Sequence, residues 1–437
     1  LKRPGQLRMP ATAGSRSCLA VTAAAAAAAA GRGAMAGVPA AENWMPSHWS
    51  PIDAFPRDDD VVLQSHVEQQ RPALIRGGSL VPTAGWEDLS SLLATMARTD
   101  VLVKRSGRHR VAYFRTERNS GGHKFDADSF VRESKVPFAD FVAQADAVQA
   151  CAGATAEAED KGRVSKDQAG GSCERPSSSS PSASSRGRET LYCQESLSGH
   201  PELEMEFKGW DWVWIIQQCR RHGWGLPETN VLFMGSEGAT TPAHFDEQHN
   251  FLNQVRGTKL VVLFPPDDYT RLYPFPVTHP CDRCSMVDVE SADLARFPRF
   301  AEAQGRFAML EAGDVLYIPY GWWHYCRTVT HLAASITFWA PVTAPTPASL
   351  PPTMGPSELM RVRRNLEKLL AEDVGHPELG DEVLRLLELM EKGELDDPRL
   401  NALRRMTGML QIPEEEQLAF LSETFRGRFG FDLQPYV

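Results

Sequence analysis

From Trp44 onward the apolar positions fall into blocks whose spacing switches between a strand period and a helix period. Pro72-Ala73-Leu74-Ile75 predicts a short strand, and Trp86–Met96 carries Leu89, Leu92, Leu93 and Met96 at helical spacing. Val101-Leu102-Val103 and Val111-Ala112-Tyr113-Phe114 predict two strands joined through the basic run Lys104–Arg110, and Pro137–Val148 a short amphipathic helix with Phe138, Phe141 and Val142 on one face. Between Cys151 and Arg188 the pattern fails: Ser177–Ser180 and Gly170-Gly171 leave too little apolar content to bury, which predicts a disordered insertion. A strand follows at Thr190–Gln194. Gly209–Gly225 sets Trp210, Trp212, Trp214 and Trp224 around Ile215-Ile216, read as a helix buried against a sheet rather than a stacking platform for bases.

The densest strand signals come next: Asn230–Gly235, Pro242–Phe245, Phe251–Arg256, Lys259–Phe264, Phe307–Leu310, Val315–Ile318 and Ala334–Trp339. Turn signals such as Arg256-Gly257, Pro265-Pro266-Asp267-Asp268 and Glu311-Ala312-Gly313-Asp314 separate them. Short strands punctuated in this way favour an antiparallel barrel or double sheet of the cupin jelly-roll type over a βαβ fold. After Pro356 the spacing turns helical again. Ser357 is placed to cap a helix with Leu359, Val362, Leu366, Leu369 and Leu370 on one face, and Asp381–Lys392 repeats the pattern with Val383, Leu384, Leu386, Leu387 and Met390. Two such helices beyond a complete barrel have apolar faces to bury, against a second copy or back on their own sheet.

Composition narrows the class. The chain has 437 residues and a formal net charge of −10, which argues against a nonspecific grip on nucleic acid or an anionic membrane. The run Leu19–Ala30 is too short and alanine-rich to span a bilayer, so no membrane protein is expected. Cys18, Cys151, Cys173, Cys193, Cys219, Cys281, Cys284 and Cys326 form no regular framework, as expected of reduced thiols in the cytoplasm or nucleus. Residues 1–41 contain no acid and five basic residues, so they read as translated upstream sequence ahead of Met9 or Met35, or as a transit peptide.

The candidate chemistry centres on Thr241-Pro242-Ala243-His244-Phe245-Asp246-Glu247-Gln248-His249-Asn250. On a strand His244 and Asp246 face the same way, and His324 lies beyond the apolar strand and proline break of Gly313–His324. Two histidines and one carboxylate form the ligand set of non-haem Fe(II) oxygenases. Taken alone, His-X-Asp is a weak signal. Lys259 strengthens it: a lysine in the apolar run Lys259–Phe264, on a strand expected to pair back through the Gly257 turn, is costly to bury unless an anion meets it. With a hydroxyl at Thr241, such a cavity suits a dicarboxylate 2-oxo acid. Cys281-Asp282-Arg283-Cys284 has no second such pair, so zinc is not expected there.

From these segments, with Leu263–Asp288 and Arg364-Asn365-Leu366-Glu367-Lys368, the chain resembles the JmjC-type 2-oxoglutarate-dependent oxygenases. Within them it resembles the asparaginyl hydroxylases of the factor-inhibiting-hypoxia-inducible-factor type, from about Trp49 to Gly393 apart from the insertion. The resemblance implies a mainly β, double-stranded β-helix (jelly-roll, cupin) fold with flanking helices, and His244, Asp246 and His324 as catalytic iron ligands. It implies Tyr192, Thr241, Asn250, Lys259 and Thr337 around 2-oxoglutarate, and Tyr113, Gln194, Arg283, Cys284 and Trp339 around a substrate peptide. Cys284 stands where those enzymes have a glutamine that contacts the target side chain, and Thr337 where they have an asparagine; the loop between His324 and Trp339 is also slightly shorter.

The expected domains are residues 1–43, an acid-poor N-terminus; 44–150, the first part of the catalytic domain; and 151–188, the insertion. They continue with 189–345, the jelly-roll core; 356–393, helices matching the family's dimerisation helices; and 394–437, a helical extension. The expected activity is hydroxylation of a protein substrate, with asparagine as the favoured residue, Fe(II) as metal, 2-oxoglutarate and O2 as co-substrates, and a role in oxygen sensing. Hydroxylation of another residue, methyl-lysine demethylation by the same iron chemistry, and a non-catalytic binding protein are the alternatives.

Overall fold

Short strands of β-branched and aromatic residues have two faces to cover, and here they cover them by facing one another and a layer of helices. The computed structural model describes residues 44–107, 131–151, 189–277, 279, 281–342, 355–374, 379–393, 400–409 and 412–425. The expected strand Val111–Phe114 with Tyr113, the N-terminus 1–43 and residues 152–188 of the insertion lie outside that set.

In chain order the strands are β1 Ser50–Pro51, β2 Ala54–Pro56, β3 Ala73–Arg76, β4 Asp100–Ser106, β5 Val131–Pro137, β6 Thr190–Ser196 and β7 Val231–Gly235. They continue as β8 Thr240–Phe245, β9 Gln248–Arg256, β10 Lys259–Phe264, β11 Arg306–Leu310, β12 Val315–Ile318, β13 Trp323–Thr328 and β14 Ala333–Pro341. Helices are α1 Asp60–Glu68, α2 Ser90–Met96, α3 residues 138–151, α4 Glu204–Lys208 and α5 Trp212–Arg221, then α6 Pro356–Val374, α7 Leu379–Glu391, α8 Leu400–Met409 and α9 Glu414–Phe425.

One sheet has the order β1-β11-β10-β13-β8 and the other β2-β3-β12-β9-β14-β7-β6-β4-β5. From β7 to β14 the chain crosses repeatedly between the two, which makes the expected double-sheet jelly roll. Ile52, Leu252, Val261, Leu263, Leu310 and Leu316 fill part of the space between the sheets. On the outer face of the larger sheet, Phe251, Phe338, Trp86, Phe138 and Phe141 form the main core. The tryptophan helix α5 belongs to this layer: Trp214 packs edge-on to Phe251, and Trp210 and Trp212 pack edge-on to Phe338.

Three local expectations change. β9 and β10 do not pair as a hairpin: β9 bonds to β12 and β14, whereas β10 bonds to β11 and β13. The intervening Gly257, at φ +60°, turns the chain from one sheet into the other, and a Cβ there would collide with Thr330 Oγ1. Secondly, β4 runs through Lys104 to Ser106 and pairs with β5, so Lys104 belongs to a strand and not to a basic connection. Thirdly, Ser357 does not cap α6; Pro356 opens that helix, and the Ser357 hydroxyl donates to the Tyr320 carbonyl.

The C-terminal helices bury their apolar faces chiefly on one another. Val362, Leu366, Val383, Leu386, Leu400, Leu403, Leu421 and Phe425 form a separate core from α6 to α9. Leu369 and Leu384, two of the expected face positions, remain 44% and 38% exposed. α6 is fastened to the barrel by Arg364, whose guanidinium donates to both Asp282 oxygens at 2.6 and 2.7 Å, while Glu367 accepts from the Val277 N–H at 2.9 Å. Both partners in the Arg364–Asp282 fork are buried. Removing one leaves the other charge in a low-dielectric site, so Arg364→Ala is expected to destabilise the fold by about 3–5 kcal/mol. Chemical denaturation of wild type and variant checks this.

Candidate metal centre

β8 and β13 are adjacent antiparallel strands in which His244 lies directly opposite His324. Cross-strand partners project to the same face, and the two imidazole centroids are 4.1 Å apart. Asp246 follows the last residue of β8. Its carbonyl accepts from the Gly321 N–H at 3.1 Å, which ties the end of β8 to the turn that launches β13. Gly321 itself sits at φ +77°, where a Cβ would press on Met360. His244, Asp246 and His324 each offer a ligand atom, all within 4.8 Å of one another. This is the one such His/Cys/Asp/Glu group among the described residues.

His244 Nδ1 lies 2.9 Å from the Pro242 carbonyl and His324 Nδ1 3.2 Å from the Trp322 carbonyl. A carbonyl can only accept, so each Nδ1 carries a proton and each Nε2 is the ring nitrogen left to face a metal. Burial and the neighbouring His324 pull His244 down to about 4. Burial pushes the Asp246 carboxyl up, but the charges of His324, His244 and Arg283 and a hydrogen bond from Trp339 outweigh it and hold it below the ordinary carboxylate value. That hydrogen bond, Trp339 Nε1 to Asp246 Oδ2 at 3.1 Å, gives Trp339 a role in orienting the carboxylate. Arg283 Nη1 lies 3.9 Å from the other oxygen.

The triad opens into a cavity of about 470 Å³ between the sheets. Tyr192, Gln194, Thr241, Asn250, Lys259, Arg283, Cys284, Thr337 and Trp339 all line it, so every expected site residue within the described set converges there. Thr241 Oγ1 donates to Tyr192 Oη at 3.3 Å. Lys259 Nζ is buried, donates to the Phe233 carbonyl at 2.8 Å and sits 5.8 Å from the Tyr192 ring centroid. Burial pulls its pKa down to about 8. The Thr337 hydroxyl, on the cavity wall, accepts from the Val231 N–H at 3.1 Å and so bridges β7 and β14. Cys284 and Cys326 also line the cavity, and burial pushes both thiols up to about 12, far from the reactive thiolate range.

These residues fit an iron ion and a dicarboxylate. Two imidazole Nε2 atoms and one carboxylate are an Fe(II) donor set. The buried Lys259 ammonium, with three donors, has one backbone acceptor among the described residues, which leaves donors for a carboxylate. Sequence reasoning missed strand β13, although Trp323-His324-Tyr325-Cys326-Arg327-Thr328 is dense in β-forming residues, and it missed Lys104 as a cavity residue. The Val101-Leu102-Val103-Lys104 run held the same clue as Lys259, a lysine in an apolar strand.

Because Trp339 acts on the triad through its N–H, Trp339→Phe keeps the aromatic body against Phe233 and removes only the bond to Asp246. Loss of such an orienting contact is expected to weaken Fe(II) binding about 10- to 100-fold, measured by metal titration.

Residues 59–340 match the model of a family described as the cupin-like domain. A stretch of 143 residues is 37% identical to "Lysine-specific demethylase JMJ30" of Arabidopsis thaliana, covering 33% of each chain. The human "HSPB1-associated protein 1" is 37% identical over 29% of this chain and 27% of its own, and "Lysine-specific demethylase 8" of Xenopus tropicalis 40% identical over 24% of each. The matched stretch thus spans a third or less of each of these relatives.

Proposed function

Since the chain belongs to the cupin-like domain family, we propose that it is an Fe(II)- and 2-oxoglutarate-dependent oxygenase acting on a protein side chain, with the β-carbon of asparagine as the favoured target. The observation that carries the reading is the meeting, in one cavity, of the His244–Asp246–His324 triad with the buried Lys259 ammonium. His244, Asp246 and His324 would hold the iron. Tyr192, Thr241, Asn250 and Lys259 would hold 2-oxoglutarate, Lys259 answering its far carboxylate. Bound together, iron and 2-oxoglutarate supply an oxidative decarboxylation that splits dioxygen, releases succinate and carbon dioxide and places one oxygen atom in a substrate C–H bond. The protein keeps the His244 imidazole neutral, orients the carboxylate through Trp339, and presents the peptide along Gln194, Arg283 and Cys284 beside the triad.

Methyl-lysine demethylation is the second reading, favoured by the printed names of two relatives. A homodimer through α6 and α7 is proposed from the exposed Leu369 and Leu384, and the cytoplasm or nucleus as the compartment.

The test is aerobic succinate release by the purified chain with Fe(II), alone and with an asparagine-containing ankyrin-repeat peptide, followed by mass spectrometry of the peptide. A gain of one oxygen on asparagine that vanishes in Asp246→Ala supports the assignment. Succinate without oxidation of that peptide retains the chemistry and moves the substrate elsewhere. No turnover with iron loaded sinks the enzyme reading in favour of a binding protein.

A further inference from the structure

Lys104 is 2% exposed on β4, one strand beyond Tyr192, to which it is directly paired, and it lines the same cavity as the triad. Its ammonium is 3.5 Å from Glu133 Oε1, on the neighbouring β5, and Glu133 is itself 43% exposed. Cys284, which lines the cavity as well, lies on the loop that bridges to His244. Arg283, the next residue of that loop, adds a guanidinium 3.9 Å from Asp246. Two cations, Lys104 and Arg283, therefore line the cavity that holds the triad.

The acids of that region are already matched. Asp282 takes both arms of Arg364, and Glu247 lies 3.4 Å from the Arg364 Nε. Asp246 is a metal ligand in the reading above. Burying a further cation beside Lys104 and Arg283 puts like charges together in a low-dielectric pocket, whereas an anionic side chain there can take the place of the half-exposed Glu133. A charge-assisted bond to a buried ammonium is also worth roughly twice a neutral one.

We infer that Lys104 is a specificity-determining residue, which admits neutral or carboxylate-bearing acceptor side chains such as asparagine and aspartate and rejects cationic ones such as methyl-lysine. This rests on the oxygenase reading and sets the charge of its substrate. Glu133 acts as the resident counter-ion, which leaves when the substrate carboxylate arrives.

The experiment uses the full chain loaded with Fe(II) and 2-oxoglutarate and three pools of extended peptides identical except at the central residue, which is aspartate, asparagine or dimethyl-lysine. Oxidation is read by mass spectrometry and total turnover by succinate. The aspartate pool is expected to be oxidised at least ten times faster than the dimethyl-lysine pool. Lys104→Glu reverses that order, and Lys104→Met, an apolar side chain of similar length, abolishes the preference without reversing it. Melting curves confirm that each variant is folded. Wild type that fails to favour the aspartate pool, or a preference that survives in both variants, overturns the inference. Absence of any 2-oxoglutarate turnover by wild type, with or without peptide, overturns instead the oxygenase reading beneath it.

Discussion

Asp246→Ala is expected to lose at least ~100-fold in Fe(II) affinity and all measurable succinate release. The carboxylate is the one anionic donor of the triad, and without it two imidazoles 4.1 Å apart remain to hold a dication. The same substitution deprives the Trp339 N–H of its acceptor, so the apo fold is expected to lose about 1–3 kcal/mol as well. Asp246→Asn separates the two effects, because a carboxamide oxygen still accepts from Trp339 while contributing no charge to a metal. Thermal shift with and without Fe(II) gives the readout: at a metal concentration 100-fold above the dissociation constant, wild type should gain about 2.7 kcal/mol, and neither variant should gain more than about 0.4 kcal/mol. Equal metal stabilisation in wild type and Asp246→Asn would remove Asp246 from the ligand set.

Lys259→Met is expected to raise the Michaelis constant for 2-oxoglutarate by about two orders of magnitude, since truncating one partner of a buried charge pair costs about 2–5 kcal/mol. The apo protein should move the other way. Burial holds the Lys259 pKa at about 8, below the ordinary 10.5, so the charged form costs stability at all pH values below about 8. Between about 8 and 10.5 the unfolded chain binds more protons than the folded one at this group, and stability rises with pH across that window. Lys259→Met should therefore stabilise the apo fold near neutral pH and lack the alkaline increment. Affinity for 2-oxoglutarate, which needs the ammonium, should fall in wild type through the same window. Isothermal binding of 2-oxoglutarate at pH 7 and pH 9.5, with denaturation curves at both, gives both signs; a pH-independent difference between the two proteins would mean that Lys259 is not the titrating group.

The resemblance to asparaginyl hydroxylases and the family match differ in reach. The cupin-like family covers residues 59–340, whereas the relatives named above share about a third of their length or less with this chain and include proteins named as demethylases. The charge of the side chain that the cavity accepts is thus the property that would separate the two substrate readings, and Lys104, which lines that cavity, is the residue proposed to decide it.

Local sequence already determined much of this protein. β10 and β12 carry the bounds that alternation and turn residues predict, and the spacing of His244 and Asp246 marks a shared face before any fold is known. The apolar spacing of α6 and α7 likewise marks most of their buried positions, Val362, Leu366, Val383, Leu386 and Leu387 among them, because a helix presents its pattern within a few residues. Tertiary structure decided the partners. Nothing near Gly257 says whether its turn closes a hairpin or crosses to another sheet, since both begin with the same reversal; distant strands β12, β13 and β14 settle it by taking the available edges. The sequence marks His324 as a candidate ligand, but its meeting with His244 depends on the register in which β13 pairs with β8, a contact across 80 residues. The same holds for Lys104 and for Arg364, whose meanings come from a cavity wall and a buried Asp282 far away in the chain. Burial and charge pairing are properties of what surrounds a side chain, and for these residues the surroundings are assembled from strands that local pattern cannot place.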